Sequence, residues 1–239
     1  MKNLTDQGYG IIAQEYENYM LLKNYSQATI TTYLSNYRLY NHWCEHEGIE
    51  EIYTQDQVRK YLLYRVKNGA KWQTMNNIYS AMRKLFREVL ELEWSFKKLP
   101  RPRKERTLPE LISRMEVQRL IQGCVNLKHK AILVTIYSAG LRAGELRNLK
   151  ITDIDSERLQ LRIRKGKGAK DRYVQIPIEL ILYLRKYYLK YKPECYLFYG
   201  RKRDGQISFS AIRWAIRQSK RRQGLQKQIS PHTLRHCYA

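Results

Sequence analysis

The sequence predicts a mostly helical α+β chain: an all-helical N-terminal domain, then a helical domain that carries one small antiparallel sheet. Three observations lead there. Apolar residues recur at helical spacing throughout the N-terminal part, as in the Tyr33, Leu34, Tyr37, Tyr40, Trp43, Cys44 stripe. The period changes to two at Leu159, Leu161 and Ile163, which alternate with Gln160, Arg162 and Arg164. A basic, proline-containing stretch separates the two parts, and proline breaks helices and stiffens linkers.

The N-terminal elements follow in order. Ile12, Tyr16, Tyr19 and Met20 share a face of a helix over Ile11–Lys23. Ser26 is placed to cap a second helix that runs to Glu47, with Gly48 as its stop. Thr54-Gln-Asp-Gln57 has the capping-box pattern and opens a third helix ending at Gly69. A fourth is expected over Gln73–Glu93, with Ile78, Met82, Leu85, Phe86, Val89 and Leu90 turned inward. Four helices with short loops make a small bundle, so residues 8–94 read as one domain. Residues 95–110 hold three prolines and six basic residues and read as a linker that also meets a phosphate backbone.

Residues 111–239 read as the second domain. Ser113-Arg-Met-Glu116 is a capping box. Helices are expected at 114–122, 128–138 and 143–149, the second ended by Gly140. The strand at 159–163 pairs with one at 173–176 through the glycine-containing stretch 165–172, and Pro177 stops the second strand. Helices resume at 178–191 and 208–222, and Pro231-His232 opens one more.

Charge narrows the function. The chain holds 45 Lys and Arg against 22 Asp and Glu, a formal net charge of +23. Self-repulsion on that scale is relieved by a polyanion, and nucleic acid is the expected partner. Mean hydropathy is −0.64. No apolar run approaches the roughly 20 residues that span a bilayer, and the N-terminus lacks the order of a signal peptide. A cytoplasmic protein away from membranes is expected. The cysteines (44, 124, 195 and 237) form no Cys-x-x-Cys pair, which suits free thiols. His42 and His46 flank Cys44 at i, i+4 spacing and read as a solvated helix edge, so no metal is expected.

Three separated segments suit one task. In Ser138-Ala-Gly-Leu-Arg142-Ala-Gly-Glu145, an arginine follows a Gly-Leu turn at a helix start, and Glu145, one helical turn on, can orient its guanidinium. Lys167 sits between Gly166 and Gly168, suited to entering a groove or to acting as a general acid. In Ser230-Pro-His232-Thr-Leu-Arg235-His236, His232 and Arg235 share a helix face. Such a pair suits a pentavalent phosphate, Arg neutralising equatorial oxygens and His donating a hydrogen bond.

Ala-Gly-Leu-Arg-x-x-Glu-Leu, then Gly-Lys-Gly-x-Lys-x-Arg, then Pro-His-x-Leu-Arg-His, in this order after a helical domain and basic linker, resembles the tyrosine recombinases. The resemblance covers nearly the whole chain. It implies an N-terminal core-binding domain, a catalytic domain, and cleavage of double-stranded DNA through a 3′-phosphotyrosine without metal or cofactor. It assigns catalysis to Arg142, Lys167, His232 and Arg235. Lys97, Lys98, Arg101, Arg103, Lys104, Lys165, Lys170 and Arg172 are expected on DNA. The same resemblance places the nucleophilic tyrosine several helical turns beyond Arg235, and reads Tyr238 as a packing residue. The chain is therefore expected to be incomplete at its C-terminus, binding DNA without cleaving it. A tetramer on two DNA sites is expected for the whole protein and a monomer for this chain. The alternative is a non-catalytic DNA-binding regulator or a degenerate mobile-element remnant. A type IB topoisomerase shares the chemistry, but the helical N-terminal domain looks integrase-like.

Overall fold

The computed structural model describes residues 3–95, 97, 99–103, 111–164 and 171–238. It divides into two compact units, Met1–Thr107 and Leu108–Ala239.

The first unit is built from α1 (Asn3–Leu22), α2 (Gln27–His46), α3 (Gln55–Lys67) and α4 (Trp72–Glu88). Ser26 caps α2 by accepting the Thr29 N–H, and Thr54 caps α3 by accepting the Gln57 N–H. The reciprocal half of the box expected at Thr54 is absent, and Gln57 Oε1 is buried with no partner among the described residues. The apolar stripes meet in a core rich in tyrosine: Tyr16, Tyr37, Tyr40 and Tyr61 are fully buried beside Met20, Ile78, Met82 and Phe86. Buried phenols need acceptors. Tyr16 donates to the Ala81 carbonyl at 2.7 Å, Tyr37 pairs with the Tyr53 hydroxyl at 2.7 Å, and Tyr40 donates to the Ile52 carbonyl.

α4 stops at Glu88, five residues short of the expected end. The stop is Glu91 in the left-handed conformation (φ 53°), with the Leu92 N–H returning to the Phe86 carbonyl at 2.8 Å. No glycine marks that position, so apolar spacing runs past it. The chain beyond α4 packs back on the bundle. Trp94 and Leu99 are buried in its core, Ser95 N donates to Gln55 Oε1 at 3.0 Å, and Trp72 donates to the Pro102 carbonyl at 3.0 Å.

The second unit holds α5 (Arg114–Gln122), α6 (Leu127–Ala139), α7 (Ala143–Asn148), a 3-10 turn (Ile151–Asp153), β1 (Ile154–Asp155), β2 (Gln160–Ile163), β3 (Arg172–Gln175), α8 (Ile178–Tyr191), α9 (Phe209–Arg222) and α10 (Pro231–His236). The capping box at Ser113 is present in both halves. α6 is the central helix and touches α5, α7, α8, α9 and α10, which is why Ala131, Ile132, Leu133, Thr135, Ile136 and Ala139 are all buried on it. The sheet is antiparallel in the order β1-β2-β3. Leu161 faces Val174, and Ile163 faces Arg172. The two-residue strand β1 adds an edge that the sequence pattern does not signal. Leu159 adopts φ 54° and lies before β2 rather than in it.

Candidate active site

Glu145 is the centre of the site. Three chain segments bring a guanidinium to its carboxylate. Gly140 ends α6 in the left-handed conformation (φ 57°), turning the chain so that Arg142 precedes α7. Arg142 donates its backbone N–H to Glu145 Oε2 at 2.8 Å and its Nη1 to Oε1 at 2.8 Å. Arg172 opens β3 and reaches the same carboxylate with both terminal nitrogens, at 2.8 and 2.9 Å. Arg235 comes from α10, which Ser230 caps and Pro231 starts. Its Nη1 donates to the Gly140 carbonyl at 2.5 Å and lies 3.4 Å from Glu145 Oε2.

The carboxylate is the buried partner: its side chain is 6% exposed, against 40% for Arg142, 34% for Arg172 and 26% for Arg235. Burial pushes the Glu145 carboxyl up, but the hydrogen bonds from Arg172 and Arg142 outweigh it and hold the group at about 2. Three cations on one anion leave the cluster positive. Ala139, Gly140, Arg172, Val174, Arg235, His236 and Tyr238 line an open pocket of about 330 Å³ beside it. An oxyanion of phosphate size fits that charge.

His232 and His236, one turn apart on α10, place their Nε2 atoms 3.0 Å apart with ring centroids at 4.2 Å. Partial burial, then the neighbouring positive charges of His236, Arg235 and Arg142, lower the His232 pKa. A lowered pKa keeps this imidazole neutral near pH 7. Tyr238 packs its ring over Gly140: a Cβ at Gly140 would lie 2.8 Å from Tyr238 Cδ1.

Of the residues picked out from sequence, Arg142, Arg235 and His232 are brought together here. Lys167 lies outside the described residues, as do Lys98, Lys104, Lys165 and Lys170. Lys97, Arg101 and Arg103 are exposed on the first unit, where Arg101 Nε donates to Asn76 Oδ1 at 2.9 Å. Arg172, expected on the DNA backbone, gives both terminal nitrogens to Glu145 and lines the same pocket. Strand alternation carries the signal for this. Leu161 and Ile163 face the core, and antiparallel register puts Val174 and Arg172 on the same face.

Residues 110–239 match the model of the phage integrase family, and residues 12–96 match that of the phage integrase N-terminal SAM-like domain. The chain is 36% identical over 234 residues to a putative integrase/recombinase, y4qK, of Sinorhizobium fredii, covering 95% of this chain and 74% of that protein. It is 32% identical over 234 residues to the tyrosine recombinase XerA of Pyrococcus horikoshii, covering 95% of this chain and 78% of that protein. A crystal structure of XerA recombinase aligns at TM-score 0.51 with 27% identity, over 96% of this chain and 82% of that one. A lambda integrase dimer bound to a COC′ core site aligns at TM-score 0.73 with 16% identity, over 96% of this chain and 87% of that one, a likeness of fold.

Proposed function

The chain belongs to the phage integrase family, the tyrosine recombinases, and from that premise we propose that its second unit holds the scissile phosphate of double-stranded DNA for transesterification. The observation that carries this reading is the convergence of Arg142, Arg172 and Arg235 on Glu145 beside His232. Arg142 and Arg235 neutralise the non-bridging oxygens. A tyrosine hydroxyl attacks phosphorus, a 3′-phosphotyrosyl bond forms, and the 5′-oxygen leaves with a proton. His232, with its Nε2 3.0 Å from that of the pocket-lining His236, handles a proton or holds a phosphate oxygen. Lys167 is assigned to protonating the leaving oxygen. Lys97, Lys98, Arg101, Arg103, Lys104, Lys165 and Lys170 meet the DNA backbone. Residues 8–94 act as the core-binding domain and 111–239 as the catalytic domain, and assembly on two DNA sites is tetrameric in the whole protein. The chain acts in the cytoplasm.

Tyr238 is the one tyrosine among the described residues on the pocket wall. It stands three residues from Arg235 with its ring over Gly140, a packing position. The 239-residue chain therefore binds DNA and leaves the phosphodiester intact. Incubation with nicked suicide duplexes is expected to give a mobility shift and no covalent adduct on a denaturing gel; an adduct lost in Tyr238→Phe overturns this. A small nucleophile added in solution, hydrogen peroxide, is expected to cut a random-sequence duplex pool in an Arg142- and Arg235-dependent manner. DNA binding with no such cleavage favours the alternative, a non-catalytic DNA-binding regulator.

A further inference from the structure

The arginines around Glu145 are not equivalent. Arg172 binds it as a two-nitrogen fork at 2.8 and 2.9 Å. Arg142 gives it one side-chain nitrogen at 2.8 Å, and Arg235 stands at 3.4 Å. Arg172 also comes from β3, fixed by its pairing with Ile163, whereas Arg142 precedes α7 and Arg235 lies on α10. Resting on the phosphate-pocket reading above, we propose that Arg172 is a positioning residue: it is the permanent counter-ion of Glu145 and holds that carboxylate in place when a DNA phosphate draws Arg142 and Arg235 away.

A phosphodiester that takes Arg142 and Arg235 competes with Glu145 for the same N–H groups. Glu145 is 6% exposed, and a buried carboxylate stripped of partners is strongly unfavourable. A bidentate Arg–carboxylate fork is the geometry that prevents this, because both oxygens keep a charge-assisted donor. The charged groups facing Glu145 are Arg142 from the turn before α7, Arg172 from β3 and Arg235 from α10, with His232 and His236 behind the last. Arg147 of α7 is turned away onto the Ile207 carbonyl at 2.7 Å, and Arg213 and Arg217 of α9 are exposed. Once the phosphate has taken its two arginines, Arg172 is the cation that stays.

The test measures affinity for a short, fluorescein-labelled, mixed-sequence duplex as a function of pH, using the whole chain. Without Arg172, DNA binding leaves Glu145 with the Arg142 backbone N–H and no cation, so Glu145 takes up a proton on binding. Affinity then falls as pH rises. Arg172→Gln is expected to lose affinity more steeply than the unmodified chain between about pH 5.5 and about 7.5, by up to about tenfold per pH unit. Any slope from the histidines is common to both proteins and cancels. Arg172→Lys shows a smaller extra slope, and the double variant Glu145→Gln/Arg172→Gln shows none. If Arg172→Gln does not fold, Arg172→Lys carries the same comparison. Parallel profiles for Arg172→Gln and the unmodified chain, with Arg142→Ala weakening DNA binding, overturn the counter-ion role alone. An Arg142→Ala variant that binds like the unmodified chain overturns the phosphate-pocket reading itself.

Discussion

Arg172 and Glu145, 27 residues apart in the chain, meet in a two-nitrogen fork of 2.8 and 2.9 Å that ties β3 to α7. The carboxylate also receives Arg142 and Arg235, so its removal leaves three guanidinium groups without their shared anion. Glu145→Ala is expected to destabilise the second unit by about 3–5 kcal/mol, the range for removing one partner of a buried ion pair. Glu145→Gln should cost less, since its amide oxygen still accepts a hydrogen bond. Urea unfolding followed by circular dichroism measures both; an alanine variant as stable as the parent would remove Glu145 from the centre of the site.

The same cluster sets an acid response. The Glu145 carboxyl is held at about 2 in the fold, below its ordinary 4.5. A depressed carboxyl contributes stability that is complete above its unfolded value and is lost as pH falls through the folded one. The parent is therefore expected to lose this contribution between pH 4.5 and about 2. Glu145→Gln lacks this component, and its melting temperature should fall less over that interval. Equal losses in the two proteins would show that other carboxylates govern the acid limb.

Much of this was legible in the sequence where a residue imposes its own geometry. Pro177 and Pro231 set the starts of α8 and α10, Ser26 and Ser113 set caps, and Gly140 ends α6. The end of α4 was not, because Glu91 takes a left-handed conformation that glycine usually marks. That Glu145 can orient the Arg142 guanidinium was legible from their spacing on one helical turn. The place of Arg172 was hidden by composition: in a run of lysines and arginines it looks like one more group on the DNA backbone. Only the register of β2 with β3, which sets Arg172 opposite Ile163, shows that it points inward. That Arg235 reaches the Gly140 carbonyl across 95 residues of sequence is a property of packing, on which local spacing is silent.

A second buried carboxylate supports the stem of the same sheet. The Asp153 side chain is fully buried, with Oδ1 accepting Arg164 Nε at 2.6 Å and Oδ2 accepting the Lys150 N–H at 2.9 Å. Arg164→Ala leaves that charge without its cation and should cost about 3 kcal/mol. Adding Asp153→Asn to Arg164→Ala should recover part of the loss, because no buried charge then remains. A double variant less stable than Arg164→Ala alone would show that the aspartate serves chiefly as an acceptor for the backbone.

DNA affinity should follow charge before sequence. With a formal net charge of +23, binding to mixed-sequence duplex is expected to weaken linearly on a log–log plot against salt. Arg101 and Arg103 are exposed on the first unit. Replacing both with alanine should flatten the slope by about two, since each phosphate left without its cation removes about 0.9, and should weaken all sequences alike. Unchanged slopes would place the DNA elsewhere on that unit.

Gly140 joins the fold to the site, and a double-mutant cycle can separate its roles. Its φ of +57° costs an alanine about 1–2 kcal/mol. A Cβ there would also stand 2.8 Å from Tyr238 Cδ1, and the Gly140 carbonyl receives Arg235 at 2.5 Å. Gly140→Ala is therefore expected to lower both stability and DNA affinity. Tyr238→Ala removes the steric conflict and leaves the backbone strain, so the two substitutions should couple by about 0.5–3 kcal/mol in stability. The affinity loss of Gly140→Ala should persist in part in the double variant, because Arg235 still depends on the carbonyl of a strained residue. Strict additivity in stability would mean that Tyr238 yields to the new methyl without cost and that the aromatic ring plays no part in holding the turn.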